Sequence, residues 1–140
     1  AYYLKAMNLV MHRHPNSNLI FVFFVGGSET NNDVHEHEPW VTTHITKPMN
    51  LSSDQIFIEK SNDHLIALQS LMICDIIITA SSSFSWWGAY LSDSMEIYAP
   101  RNLFEKGSAN EMHVEVDDYY PPFWTWLSED PQEDRIVGWA

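Results

Sequence analysis

Basic residues are scarce in this chain. Seven Lys and Arg stand against nineteen Asp and Glu over 140 residues, a formal net charge of −12. A protein that grips nucleic acid regardless of sequence needs a basic surface to replace phosphate counterions, and an anionic membrane asks for the same. Both are poor partners for this balance, although a local anion pocket stays open, because helix-end dipoles act at short range whatever the net charge. Cysteine occurs once, at Cys74, so no internal disulfide can form and no oxidising compartment is signalled. Set in an apolar stretch, it reads as a small buried hydrophobe. Long hydrophobic runs are missing too. The longest, Leu19 to Val25, is strand-sized and too short to span a membrane. The five glycines form neither the G-x-G-x-x-G fingerprint nor the P-loop pattern, which removes the standard signals of dinucleotide and P-loop sites.

What remains is a globular composition. Hydrophobic residues make up 45% of the chain, enough for one domain with its own core. Apolar positions at Tyr2, Tyr3, Ala6, Met7, Val10 and Met11 have helical spacing, and Pro15 to Asn18 turns the chain. Leu19 to Val25 is a continuous apolar run, as in a strand buried on both faces, and Gly26-Gly27 breaks it. Ser28 to Glu38 reads as an exposed acidic loop and Pro39 to Thr46 as one short helix. From Gln55 onward the order is strand (to Glu59), helix (His64 to Cys74, capped by Ser61-Asn62-Asp63), strand (Asp75 to Thr79), helix (Phe84 to Leu91) and strand (Met95 to Ala99). Short apolar strands alternating with helices predict βαβ units. The expected fold class is therefore α/β, a Rossmann-like three-layer sandwich with a mainly parallel sheet. Residues 101–116 are less regular, and the aromatic stretch 117–127 is expected to dock its rings without regular structure. The domain is taken as residues 1–127, with 128–140 an acidic, flexible tail.

The densest chemical signal is Thr79-Ala80-Ser81-Ser82-Ser83-Phe84-Ser85-Trp86-Trp87, directly after Ile76-Ile77-Ile78. Strand, hydroxyl-rich turn and helix in that order put serine hydroxyls and unpaired N–H groups at a helix N-terminus, where phosphates bind. Ligands of open α/β sheets also sit at the carboxyl ends of strands. Ser81, Ser82, Ser83, Phe84 and Ser85 are the candidate binding residues. A capping cluster with no ligand explains the same residues, since Ser is a favoured N-cap. Trp86 and Trp87 point about 100° apart on a helix, so one ring is expected to pack on the sheet and the other against a neighbouring helix or a part of the protein outside this sequence.

Other constellations are weaker. His35-Glu36-His37-Glu38 would put both histidines on one side if extended, but it has neither the H-E-x-x-H spacing nor a third ligand, so no metal is assigned. Asp117-Asp118 reads as an exposed acidic face and Asp63 as a helix cap. Asn50-Leu51-Ser52 fits the N-glycosylation acceptor pattern in a turn.

The ungapped run Cys74-Asp75-Ile76-Ile77-Ile78-Thr79-Ala80-Ser81-Ser82-Ser83-Phe84-Ser85-Trp86-Trp87-Gly88-Ala89-Tyr90-Leu91 resembles the C-terminal signature of the α-1,2-fucosyltransferases, glycosyltransferase family 11. The helix from Tyr2-Tyr3 to Met11, the strand Leu19 to Phe24, Trp40 after the acidic loop and Tyr120-Pro121-Pro122-Phe123-Trp124 fall in similar order, so the resemblance covers residues 1–127. The aromatic end is most similar to nematode members. The resemblance implies a GT-B-like fold whose C-terminal Rossmann-like half binds GDP-fucose, with this chain supplying that half. It implies inverting, metal-independent transfer of fucose to a galactoside hydroxyl, with no cofactor and with Ser81 to Ser85 on the donor. It also implies a Golgi-lumenal type II membrane protein, its membrane segment outside this sequence. The family's His-x-Arg-Arg-x-Asp motif is absent from this chain, whose arginines Arg13, Arg101 and Arg135 stand apart, and the asparagine of the family's turn is here Ser81. A catalytically inactive pseudoenzyme or interaction module of the same fold is the alternative, and no catalytic base is assigned.

Overall fold

A computed structural model describes residues 2–25, 33–102 and 116–138. The expected break at Gly26-Gly27, the first part of the acidic loop and most of the irregular stretch 101–116 lie outside the described residues. The elements are α1 (Tyr2–Arg13), β1 (Phe21–Phe24), α2 (Asp33–Val41), a π-helical turn (Thr42–Thr46), a 3₁₀ turn (Ser53–Gln55), β2 (Ile56–Glu59), α3 (His64–Met72), β3 (Ile76–Ile78), α4 (Ser83–Tyr90), β4 (Glu96–Pro100), α5 (Val116–Tyr119), β5 (Thr125–Leu127) and a 3₁₀ turn (Pro131–Glu133). The chain divides into two compact units, residues 7–67 and residues 1–6 with 68–140.

In the unit of residues 7–67, β1 and β2 pair in parallel with Phe21 opposite Ile56 and Phe24 opposite Glu59. A parallel pair needs a crossover, and α2 with the π-turn lies within it. The apolar run at β1 is not buried on both faces: the cross-strand partners Val22 and Phe57 are both exposed. Pro39 does not open a helix as its residue type suggests but sits inside α2. Beyond it the backbone widens, with Lys47 N–H reaching the Thr42 carbonyl five residues back at 3.1 Å. Thr42 Oγ1 donates to the Glu38 carbonyl and Thr46 Oγ1 to the Thr42 carbonyl, satisfying acceptors near the widening.

The other unit carries a three-stranded parallel sheet, β3-β4-β5. Ile77 sits opposite Ile97, and Ala99 opposite Trp126. The ladder continues past β3, where Thr79 N–H donates to the Tyr98 carbonyl at 2.8 Å. Ile97, Tyr98, Ala99 and Pro100 of the central strand are buried, as a strand covered on both faces must be. The architecture is thus α/β with short parallel sheets, consistent with a Rossmann-like fold. The stretch 117–127 departs from expectation, because Thr125–Leu127 is the third strand and all of it is buried.

The tail expected to be flexible is fastened back in its described part. Trp126 and Arg135 exchange both backbone hydrogen bonds, at 2.9 and 3.0 Å. Lys5 Nζ donates to the Ser128 carbonyl and to Asp134, and the Arg135 guanidinium lies 4.2 Å from the centroid of the Trp126 ring. The antiparallel bridge covers the outer side of β5, which would otherwise offer unpaired backbone groups.

Candidate functional site

The serine turn lies between the carboxyl end of β3 and the start of α4, where an α/β sheet presents its ligands. Ser82 holds extended backbone angles, φ −141° and ψ 145°, and is the N-cap of α4. Its hydroxyl accepts from the Ser85 amide at 3.2 Å and is hydrogen-bonded to the Ser85 hydroxyl at 2.8 Å. Ser85 Oγ lies within hydrogen-bond distance of the Ala80 carbonyl, the Ser82 carbonyl and the Ala80 amide, each at 3.1 Å. This hydroxyl is the hub that closes the turn. Two of the candidate hydroxyls therefore do structural work that residue type alone does not reveal.

The other members are uncommitted. Ser81 and Ser83 are exposed, and their hydroxyls make no hydrogen bond among the described residues. Phe84 stands half in solvent beside them. The amides of Ser83 and Phe84, first in the helix, have no acceptor among the described residues, while the amides of Ser85 and Trp86 are taken by Ser82. Two unpaired N–H groups at the positive end of a helix, with two free hydroxyls alongside, can hold an anion. The side chains of Ser81, Ser82, Ser83 and Phe84 are all exposed among the described residues.

An aromatic cluster supports the turn from behind. Trp86 stacks on Tyr90 with centroids 5.0 Å apart and an interplanar angle of 14°. It also touches Tyr119 and Trp124, and its Nε1–H donates to the Tyr119 carbonyl at 3.1 Å. Trp124 is completely buried and lies 5.6 Å from Tyr120, whose hydroxyl donates to the Pro100 carbonyl at 2.8 Å. Burial, with the neighbouring Tyr119 second, pushes the Tyr120 hydroxyl far above the usual tyrosine range. Trp87, about 100° further round the helix, is 52% exposed. The two rings do face different ways as expected, but Trp87 meets only Trp86 and Tyr90 of its own helix among the described ring contacts and not a neighbouring helix. The part played by Tyr119, brought in by a distant segment, is not legible in the sequence.

Lys5, Arg101 and Arg135, the described Lys and Arg residues of this unit, are occupied. Lys5 pairs with Asp134 at 2.6 Å, Arg101 with Glu133 at 3.3 Å, and Arg135 Nη2 donates to the Pro122 carbonyl at 2.7 Å. Arg101 and Arg135 both lie over the Trp126 ring. None of these three cations is paired with the serine turn.

The remaining candidates belong to other elements. His35 and His37 fall in α2, where positions two apart lie about 200° round the axis, so the one-sided extended spacing does not arise. Among the described residues no group of three His, Cys, Asp or Glu could hold a metal ion. Asp63 caps α3, accepting from the amides of Leu65 and Ile66 at 2.9 and 3.3 Å. Asp118 is exposed. A shallow groove in the unit of residues 7–67, lined by Glu38, Thr42, Thr46, Ile56, Phe57 and Lys60 among others, contains none of the serine residues. Glu38 and Lys60, both in its lining, form an ion pair 2.8 Å long.

Comparison with known proteins finds no match among curated proteins and none among solved structures. One protein family does match, described as Glycosyl transferase family 11, over residues 1–128. That span includes β3, the serine turn, α4 and β5. On this match the chain belongs to glycosyl transferase family 11.

Proposed function

We propose that the serine turn seats the diphosphate of GDP-fucose, and that the chain is the nucleotide-sugar-binding, C-terminal half of an enzyme transferring fucose to a galactoside hydroxyl. Membership of a glycosyl transferase family supports a nucleotide-sugar donor and a glycan acceptor. The observation that carries the reading is the exposed turn, with the Ser83 and Phe84 amides and the Ser81 and Ser83 hydroxyls unengaged among the described residues. In transfer, the bond from the sugar's anomeric carbon to the β-phosphate oxygen breaks as the acceptor oxygen attacks from the opposite face. Negative charge then grows on the departing diphosphate. Fixed amide dipoles aimed at that charge stabilise it without reorganising. The family resemblance assigns the neutralising cation to the His-x-Arg-Arg-x-Asp motif, which this sequence does not contain, and no metal enters the scheme. The setting that goes with this reading is the Golgi lumen; among the described residues no helix is long and apolar enough to cross a membrane.

The direct test is a GDP titration followed by thermal unfolding. A ligand at a hundred times its Kd stabilises by about 2.7 kcal/mol. A saturable rise in Tm with GDP, unchanged by a chelator, is the expected result. No rise at any GDP concentration overturns the donor-site reading.

A second reading has one observation in its favour. Lys5, Arg101 and Arg135 are each engaged away from the turn, and the sequence holds no Arg-Arg pair. A chain that binds GDP but transfers no fucose would be an inactive copy of the family fold. Product analysis with GDP-fucose and a galactoside separates the two readings.

A further inference from the structure

We propose that Asn50 is an N-linked glycosylation site. Asn50-Leu51-Ser52 is the sole Asn-x-Ser/Thr triplet in the sequence. The structure places it where a glycan can project. Asn50 closes the helical segment as the left-handed residue, with φ 52°. Its amide donates to the Lys47 carbonyl at 3.0 Å and the Leu51 amide to the Thr46 carbonyl at 3.1 Å, the paired bonds of a Schellman ending. Its side chain is exposed and makes no hydrogen bond among the described residues. Lys47, Pro48, Ser52, Ser53 and Asp54 around it are exposed as well. The amide nitrogen is thus free to carry a large substituent without displacing a contact.

An N-terminal turn signal also explains Ser52, and the two explanations separate by experiment. Ser52 Oγ donates to Asp54 Oδ1 at 2.5 Å, and its amide donates to Gln55 Oε1 at 3.1 Å. In the folded chain that hydroxyl is therefore engaged in the cap with Asp54 and Gln55. Attachment precedes closure of this turn, while the triplet is still extended. In the transfer step, Nδ2 of Asn50 attacks the anomeric carbon of a lipid-linked oligosaccharyl diphosphate. A carbon–nitrogen bond forms, the carbon–oxygen bond to the diphosphate breaks, the lipid diphosphate leaves, and one amide proton is lost to a base on the transferring enzyme.

The proposal rests on the lumenal setting suggested above, and the test supplies that setting. The chain is expressed behind a cleavable secretory signal in eukaryotic cells, and cleavage of the signal verifies entry to the lumen. The expected result is a single mass step removed by peptide N-glycosidase F, with Asn50 converted to Asp in the recovered peptide. Asn50→Gly keeps the left-handed turn and loses the step. Ser52→Ala also loses it, and Ser52→Thr keeps it. A signal-cleaved wild-type chain without the step overturns the proposal, as does a step that persists in Asn50→Gly. Because entry is verified separately, such a failure is a failure of the site and not of the localisation.

Discussion

At the scale of single residues, four serines that look interchangeable divide into two kinds. Ser82 and Ser85 hold the turn together, whereas Ser81 and Ser83 point out of it. Ser82→Ala removes an N-cap and is expected to lower stability by about 1 kcal/mol in chemical denaturation. Ser83→Ala removes no described hydrogen bond. It is expected to leave the denaturation midpoint within error while weakening GDP binding several-fold in a titration. If the effects are reversed, with Ser83 costing stability and leaving GDP affinity intact, the turn is a cap and no more. The sequence marks the place, because hydroxyls after an apolar strand are legible as a pattern. It does not assign the roles, which depend on the extended backbone at Ser82 and on the return of Ser85 to Ala80. Cys74 is only partly buried, not the buried hydrophobe its apolar setting suggests. Its Sγ donates to the Ser70 carbonyl at 3.4 Å, and burial, followed by the nearby Asp75 charge, raises the thiol above its ordinary range. The thiolate is the reactive form. Iodoacetamide at pH 8 is therefore expected to label the native chain several-fold more slowly than the urea-unfolded chain, as read by intact mass.

Among the elements, α4 shows how one position fixes a packing distance. A β-carbon built on Gly88 would sit 2.5 Å from Leu71 Cδ2 and 3.3 Å from Leu68 Cδ1. Glycine in a helix costs about 1 kcal/mol relative to Ala, so propensity alone would make Gly88→Ala stabilising. Leu71 is itself buried and cannot swing away freely. Overpacking of this kind costs about 1–3 kcal/mol, which outweighs the propensity gain. A net loss of about 1 kcal/mol in urea unfolding is expected, with recovery on adding Leu71→Ala only if the clash with Leu71 is the cause. Helix α4 and strands β3 and β4 are legible in the sequence because their apolar runs are long and bounded. Strand β5 is not, since three residues wedged behind Pro121-Pro122 carry too short a pattern and gain strand geometry only by pairing with β4. Helix α2 is missed for the opposite reason: Pro39 signals a boundary where tertiary context carries the helix through it.

At the scale of the whole molecule, the alternation of apolar strands and helices reveals the α/β class, because burial on two faces and parallel pairing leave the same trace in sequence. The fastening of the tail leaves none, since Lys5, Trp126, Asp134 and Arg135 are drawn from opposite ends of the chain. Tyrosines also tie distant segments together. Tyr2, near the start, donates its hydroxyl proton to the Tyr98 carbonyl at 3.0 Å, and Tyr120 donates to the Pro100 carbonyl. Tyr2, Tyr3 and Tyr120 all have hydroxyls raised above their ordinary value of 10.0, in each case chiefly by burial. The sign follows from proton binding. Between the unfolded and the folded pKa the native chain holds protons that the unfolded chain has released, so stability falls as pH rises. The stabilisation is fully present below pH 10 and is lost progressively above it, where ionisation would also destroy both donated hydrogen bonds. Urea midpoints measured from pH 8 to pH 11 are expected to be level at first and then to drop steeply. Tyr120→Phe gives the check. It costs about 1 kcal/mol at pH 8 by leaving the Pro100 carbonyl without its donor, and it flattens the alkaline drop because one of the titrating groups is gone. An unchanged alkaline slope in that variant would show that the loss arises elsewhere, for instance from general charge repulsion in a chain already carrying −12.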